Sequence, residues 1–324
     1  MFRRFGLTIG AIAVLSVVLV GCGSKPVVGV LLPTTGEAGN YGESIESGVR
    51  LAISDARDRE ELPPGFDVVW IDTESNPDRA VSELRRLASE RGIKMVIGGA
   101  TSTEAQALVE VLDELEVVCL SPTASTPGIS KRSALFFRIF PSDELEGHTA
   151  ARFMFDRLGQ ERIVVYSGAG DYAAGIEPEF RNQFVDALGG EIVARVDLTD
   201  GDWRPASDAA VPRCGVGAVY IIGYAPQILE VITHIREQGF DGRIVTTSAF
   251  FNDRIINEAG TMAEGIFFPL PPFDRTSETE PVLGIVNRNM DALGKAPGVC
   301  AAHGYDAMWL TIQVKTMASP PRTD

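Results

Sequence analysis

Two clusters of small hydroxyl side chains stand where short apolar runs of this 324-residue chain end: Gly98-Gly99-Ala100-Thr101-Ser102 and Ser121-Pro122-Thr123-Ala124-Ser125-Thr126. Hydroxyls beside a helix start bind a carboxylate without a full cation, because the helix amino end carries free N–H groups and a partial positive charge. A plainer reading competes with this one. Thr101-Ser102-Thr103-Glu104 fits a Thr-x-x-Glu capping box, and Ser125 and Thr126 precede Pro127-Gly128 as turn residues do. Other chemistries fare worse. Gly168-Ala169-Gly170 with Gly175 suggests dinucleotide binding, yet the spacing departs from the usual glycine fingerprint and no phosphate-loop lysine follows. No Gly-x-Ser-x-Gly elbow is present. His148, His234 and His303 lack metal-ligand spacing and read as surface or helix-packing residues. Neither a catalytic group, a cofactor nor a metal is expected.

The elements that must position the hydroxyls follow from the alternation of short apolar runs with longer stretches of helical periodicity, the order of a parallel sheet covered by helices. Strands are expected at 27–32, 67–72, 94–97 and 117–120. Between them Ile45, Val49, Ala52 and Ile53 share one helix face, as do Val81, Leu84 and Ala88, and Ala105, Leu108, Val109 and Leu112. After residues 136–140 the pattern restarts, with strands at 163–167, 191–196, 218–222 and 243–247 and a last one at 265–269 before the Pro-rich stretch 269–272. Helices near 282–293 and 301–316 follow. The predicted fold is α/β, with two Rossmann-like lobes, each a mainly parallel sheet flanked by helices. Ligands of such sheets collect at the carboxyl ends of the strands, where both hydroxyl clusters fall.

Charge and the first residues narrow the setting. Arg3 and Arg4 precede an apolar run from Phe5 to Val20, which reads as an export signal. At 16 residues the run is shorter than the roughly 20 needed to span a bilayer core. It ends in Leu19-Val20-Gly21-Cys22, which resembles the lipobox of bacterial lipoproteins, so Cys22 is the expected lipidation site. Acyl chains, at about 0.8 kcal/mol per buried CH₂, would tether the protein to the cell envelope without embedding it. The expected organisation is a signal peptide at 1–21 and a tether at 22–26. Lobe 1 is drawn from 27–140 plus about 251–300, and lobe 2 from 141–250 plus about 301–324. Losing Arg3 and Arg4 takes the formal charge from −15 to −17, which disfavours nucleic acid as a partner. Cys119, Cys214 and Cys300 form an odd set with no close spacing, so no disulfide framework is implied. Cys119 reads as a buried small hydrophobe.

Across about residues 27–316 the chain resembles the leucine/isoleucine/valine-binding branch of the type I periplasmic solute-binding proteins. The resemblance rests on Val28-Gly29-Val30-Leu31-Leu32-Pro33 with Tyr41-Gly42, Ile97-Gly98 with Ser102, Ser121-Pro122-Thr123-Ala124-Ser125, Phe137-Arg138, Asp171-Tyr172-Ala173-Ala174-Gly175 and Gly223-Tyr224. It implies a protein that captures an amino acid or similar small polar carboxylate between its lobes and hands it to the permease subunits of an ABC transporter. The implied ligand residues are Ser102 and Ser125 for the carboxylate, the main-chain carbonyl of Thr123 for an ammonium, Tyr172 and Tyr224 from the second lobe, and Tyr41 at the rim of the first. Hinges are implied near 140–142 and 248–252.

Two departures qualify the resemblance. The family places an acidic residue against the ammonium, and the matching position here is Ser248, a neutral hydroxyl; Asp171 or Asp253 substitutes only where the loops bend inward, and the simpler expectation is a ligand other than a standard branched-chain amino acid. Relatives also continue past the helix matching 301–316 with further strands and a helix, so the fold is expected to be short at its carboxyl end. Ligand sensing or regulation of an envelope enzyme on the same fold is the alternative function, and a dinucleotide-dependent enzyme a more distant one.

Overall fold

In the computed structural model, residues 27–214, 216–279, 282–294 and 296–318 are described. The expected leader, tether and Cys22 lie outside them. The first lobe opens with β1 (Val27–Leu32), a continuous apolar run fitted to the middle of a parallel sheet covered on both faces. It continues through α1 (Gly39–Asp58), β2 (Asp67–Asp72), α2 (Pro77–Arg91), β3 (Met95–Gly98), α3 (Ser102–Leu115), β4 (Val118–Ser121) and β5 (Phe136–Arg138). Local chemistry sets the helix ends. Asn76 accepts from the Arg79 N–H with Pro77 at the first helical position of α2, and Gly92 closes that helix in the left-handed conformation. All pairings are parallel, in the order β2-β1-β3-β4-β5.

The second lobe repeats the plan with α4 (Asp143–Arg152), β6 (Arg162–Ser167), α5 (Gly170–Arg181), β7 (Glu191–Asp197), α6 (Arg204–Cys214), β8 (Ala218–Ile222), α7 (Ala225–Glu237), β9 (Arg243–Thr246), α8 (Asp253–Ala259) and β10 (Ile266–Phe267). Its parallel sheet runs β10-β9-β8-β6-β7. Then α9 (Val282–Leu293) and α10 (Val299–Ala318) complete the described chain. Each sheet reverses its winding once, between β1 and β3 and between β6 and β8, and such switch points open a crevice at the carboxyl ends of the strands. Among the described residues no helix is long and apolar enough to cross a membrane.

The later part of the chain corrects the expected division into lobes. Residues 253–267 are expected in lobe 1, but β10 pairs with β9, and Ile255, Met262, Ile266 and Phe268 pack into the core around Val219, Ile228 and Phe250. Residues 301–318 are expected in lobe 2, yet α10 lies along α1, and Tyr305, Met308 and Ile312 share a core with Ile45, Val49 and Ala52. Glycine makes that contact possible. A Cβ on Gly48 would collide with the Ala301 carbonyl oxygen, and one on Gly304 with that of Ile45. Only bare backbones approach so closely. Buried Asp55 then accepts from the Tyr305 hydroxyl at 2.8 Å and pairs with Arg288 of α9 at 2.8 Å. The second crossing between lobes accordingly falls between Phe267 and Val282, not at 248–252. The last strand is shorter than expected because Pro269 and Pro271 have no N–H for the ladder.

Candidate functional site

All seven side chains singled out in the sequence, Tyr41, Ser102, Thr123, Ser125, Tyr172, Tyr224 and Ser248, line one cleft between the lobes. The first wall is built from the loops after β3 and β4. Thr101 caps α3, its hydroxyl accepting from the Glu104 N–H at 3.2 Å, so capping is real. Ser102, the first residue of α3, is not the cap. Its Oγ accepts from the Thr126 N–H at 3.3 Å and ties the two loops together. Ser121 donates to the Gly99 carbonyl at 2.7 Å and accepts from the Ala124 N–H at 3.0 Å. Thr123 donates to the Ala100 carbonyl at 2.6 Å, so its hydroxyl proton is committed between the two loops. The Ser125 carbonyl accepts from the Asp143 N–H at 2.9 Å, coupling this wall to the start of α4.

The opposite wall is aromatic. Tyr172, near the start of α5, stacks on Tyr224 at the start of α7 with ring centroids 5.2 Å apart and planes 25° apart. Tyr41 of α1 completes a three-ring column, 5.6 Å from Tyr224. It does more than stand at the rim of the first lobe. Its hydroxyl donates to the Ala249 carbonyl at 2.5 Å and accepts from the Ala225 N–H at 3.2 Å, so a first-lobe helix is bonded to the second-lobe backbone. Burial pushes the hydroxyls of Tyr41, Tyr172 and Tyr224 far above their ordinary pKa, so all three stay neutral. Close approach of the lobes also uses Gly175 of α5, where a Cβ would meet Pro127, Thr126 and the Asp143 carboxylate at 2.9–3.2 Å.

Ala100, Thr101, Phe140, Ala249, Phe251, Val299 and Cys300 complete the lining. Every one of these side chains is neutral at pH 7. A charged ligand end is therefore met by dipoles and by the groups behind the lining. Those groups are acidic. Glu146 of α4 is buried, its carboxylate accepting from the Ser248 N–H and the Ser248 hydroxyl at 2.7 Å each and from the Tyr172 hydroxyl at 3.4 Å. Burial pushes its pKa up to about 7 against those bonds. Asp143, one turn earlier, is fully buried and both its carboxylate oxygens lack a hydrogen-bond partner. Burial, reinforced by the charge of Glu146, pushes it up to about 8, with the charge of Arg138 pulling the other way.

A family profile described as periplasmic binding protein matches residues 26–324. The chain belongs to the periplasmic binding protein family. Its two-lobed α/β architecture is that of the type I members, and the family is one of extracytoplasmic solute-binding proteins, not of enzymes. It is similar to a leucine-, isoleucine-, valine-, threonine- and alanine-binding protein of Pseudomonas aeruginosa, with 27% identity over 252 residues. That match covers 77% of this chain and 66% of the relative, just under two thirds of its length. Among solved structures, a leucine-binding protein from Thermotoga maritima superposes with a TM-score of 0.83 at 25% identity, covering 90% of this chain and 83% of that one. A solute-binding protein from R. palustris in complex with 4-hydroxybenzoate gives a TM-score of 0.80 at 16% identity, covering 91% and 81%.

Within this periplasmic binding protein, several expectations need amendment. Asp171 is not the acid that substitutes at the neutral Ser248 position: it stands outside the cleft lining, its N–H donating to the Thr103 hydroxyl at 3.4 Å. The acid bonded to Ser248 directly behind the cleft is Glu146, which sequence reasoning missed. It lies 102 residues from Ser248, and nothing local marks it except Ser142-Asp143-Glu144, which reads as an ordinary helix start. The Gly168-Ala169-Gly170 turn forms no phosphate cradle, since the Gln227 side chain fills the place where a Gly168 Cβ would be. His148 pairs with Glu179 and His234 with Asp208, while the His303 ring donates to the Val299 carbonyl and packs on Phe140. No cluster of metal-binding side chains exists among the described residues. Cys119 is buried as expected, whereas Cys300 lines the cleft, and both are free thiols.

Proposed function

We propose that this chain is the solute-binding lipoprotein of an ABC-type uptake system, anchored through Cys22, and that it captures an amino acid or similar small carboxylate in the interlobe cleft. One observation carries the reading: a neutral hydroxyl wall at the amino end of α3 faces a column of three tyrosines contributed by both lobes. The ligand carboxylate docks on Ser102 and Ser125, the Thr123 carbonyl takes a donor from the ligand, and Tyr172, Tyr224 and Tyr41 cover its apolar part. Domain closure around such a ligand presents a joint surface of both lobes to permease subunits. Cys22 acylation holds the binding protein beside the membrane that carries them.

Isothermal titration calorimetry with L-leucine, L-isoleucine, short amides and 4-hydroxybenzoate tests the site. One-to-one binding of at least one probe is expected, with Ser102→Ala weakening it roughly threefold to tenfold, the loss of one hydrogen bond. Absence of binding across the panel, or an unaltered affinity in Ser102→Ala, refutes the assignment. Metabolic labelling with a radioactive fatty acid tests the anchor; label must vanish in Cys22→Ala.

A further inference from the structure

We propose that Glu146, one hydrogen bond behind the cleft, receives the cationic end of an ammonium-bearing ligand through the Ser248 hydroxyl, and that loading such a ligand expels a proton from the protein. The inference rests on the interlobe cleft being the ligand site and deepens that reading. Ser248 lines the cleft, and its single hydroxyl proton is committed to Glu146 at 2.7 Å. With Glu146 ionised, the Ser248 oxygen has only lone pairs left for the cleft, and so accepts an N–H from an ammonium. The carboxylate behind it supplies the balancing negative charge at second remove, which a serine alone cannot do.

With Glu146 protonated the chain of bonds reverses. The carboxylic acid then donates to Ser248, whose own proton turns outward and suits an acceptor such as a carbonyl or phenolate. One protonation event therefore changes the preference of the second wall. Burial makes the protonated state of Glu146 accessible near neutral pH, and its charge when ionised in turn holds the neighbouring Asp143 protonated. The titratable or charged groups around the pair are Arg138 of β5, which faces Asp143, and the phenols of Tyr172, Tyr220 and Tyr224, which burial keeps neutral. The proton balance is simple. The ligand ammonium keeps its three protons, the Glu146 carboxyl group loses one, and the buffer takes it up.

Calorimetry at pH 7 in phosphate and in Tris, whose ionisation enthalpies differ, counts that proton. For L-isoleucine, release of up to roughly half a proton per site is expected, because the acid is about half protonated at a pH near its pKa. Glu146→Gln should abolish the release and weaken L-isoleucine roughly tenfold to a hundredfold, as expected for losing a charge-assisted bond. Ser248→Ala, which keeps the acid and cuts the relay, should lower both release and affinity and decides the matter should Glu146→Gln fail to fold. The probe 4-hydroxybenzoate, without an ammonium, should release none. Binding of L-isoleucine without proton release, or undiminished release in both variants, overturns the role of Glu146 while leaving the cleft as the binding site. Binding of 4-hydroxybenzoate alone has the same meaning. If no probe binds, the site reading and this inference fall together.

Discussion

The two walls of the cleft solve the same problem by opposite means. On the first lobe Ser121, Thr123 and Ser102 bond to the neighbouring loop, and the cleft meets backbone dipoles and fixed hydroxyls. On the second lobe the visible surface is aromatic and the polarity is hidden, in Glu146 and Asp143 behind Ser248 and Tyr172. The first arrangement keeps one buried acid, Glu104, bonded to Thr73 and Thr101 behind its loops, and otherwise relies on fixed dipoles that tolerate small edits. The second concentrates its energy in a few large rings and two uncomfortable acids, so it should respond sharply to substitution and to pH.

The most severe test of that contrast is Tyr224→Ala, which removes the middle ring of the column and its contacts with both Tyr41 and Tyr172. A loss of about 3 kcal/mol is expected from the cavity and the lost stacking, read by urea unfolding. A loss no larger than that of Ser102→Ala would erase the distinction between the walls.

A smaller effect follows from the acids. Glu146 and Asp143 hold protons more tightly in the folded chain than at their ordinary values of 4.5 and 3.8, so folding stability is fullest below those values. It must fall as pH rises through about 7 and about 8, where the folded state gives those protons up. Between pH 5 and 8 the part of the decline that Glu146 contributes should amount to about 1–3 kcal/mol. His303, whose pKa burial pushes down, contributes a slope of the opposite sign over the lower part of that window. The diagnostic is therefore the difference between wild type and Glu146→Gln or Asp143→Asn, each of which should flatten the fall. A parallel pH profile in all three proteins would contradict the buried-acid account.

The smallest effect concerns the join between the walls. Tyr41→Phe keeps the ring but deletes the bonds to Ala249 and Ala225, leaving the Ala225 N–H without that acceptor. A cost of about 1 kcal/mol and a more extended particle in small-angle X-ray scattering are expected.

Much of this was legible in the sequence because parallel strands buried on both faces read as apolar runs, and the residues after each run lie by topology at the sheet's ligand edge. That logic brought the two hydroxyl clusters to one cleft with no knowledge of side-chain direction, while Tyr172 and Tyr224 came from the family resemblance. It failed where position depends on contacts distant in sequence. Residues 253–267 and 301–318 exchanged lobes because an apolar helix pattern says that a face is buried without saying against which neighbour. Glu146 escaped notice for a related reason: a carboxylate in the first turn of a helix is normally explained by the helix dipole, and only the fold brings Ser248 against it.

The contact of α10 with α1 bears on how the protein comes to be folded. The second lobe is one uninterrupted segment, from α4 to β10, and holds all the partners of its own sheet. The first lobe is not: Asp55 meets Tyr305 across 250 residues, and Gly48 waits for Ala301. Long-range closures of this kind are slow, so amide protection in a refolding experiment should arrive earlier in β6, β8 and β9 than in α1. Residues translated first would then settle last.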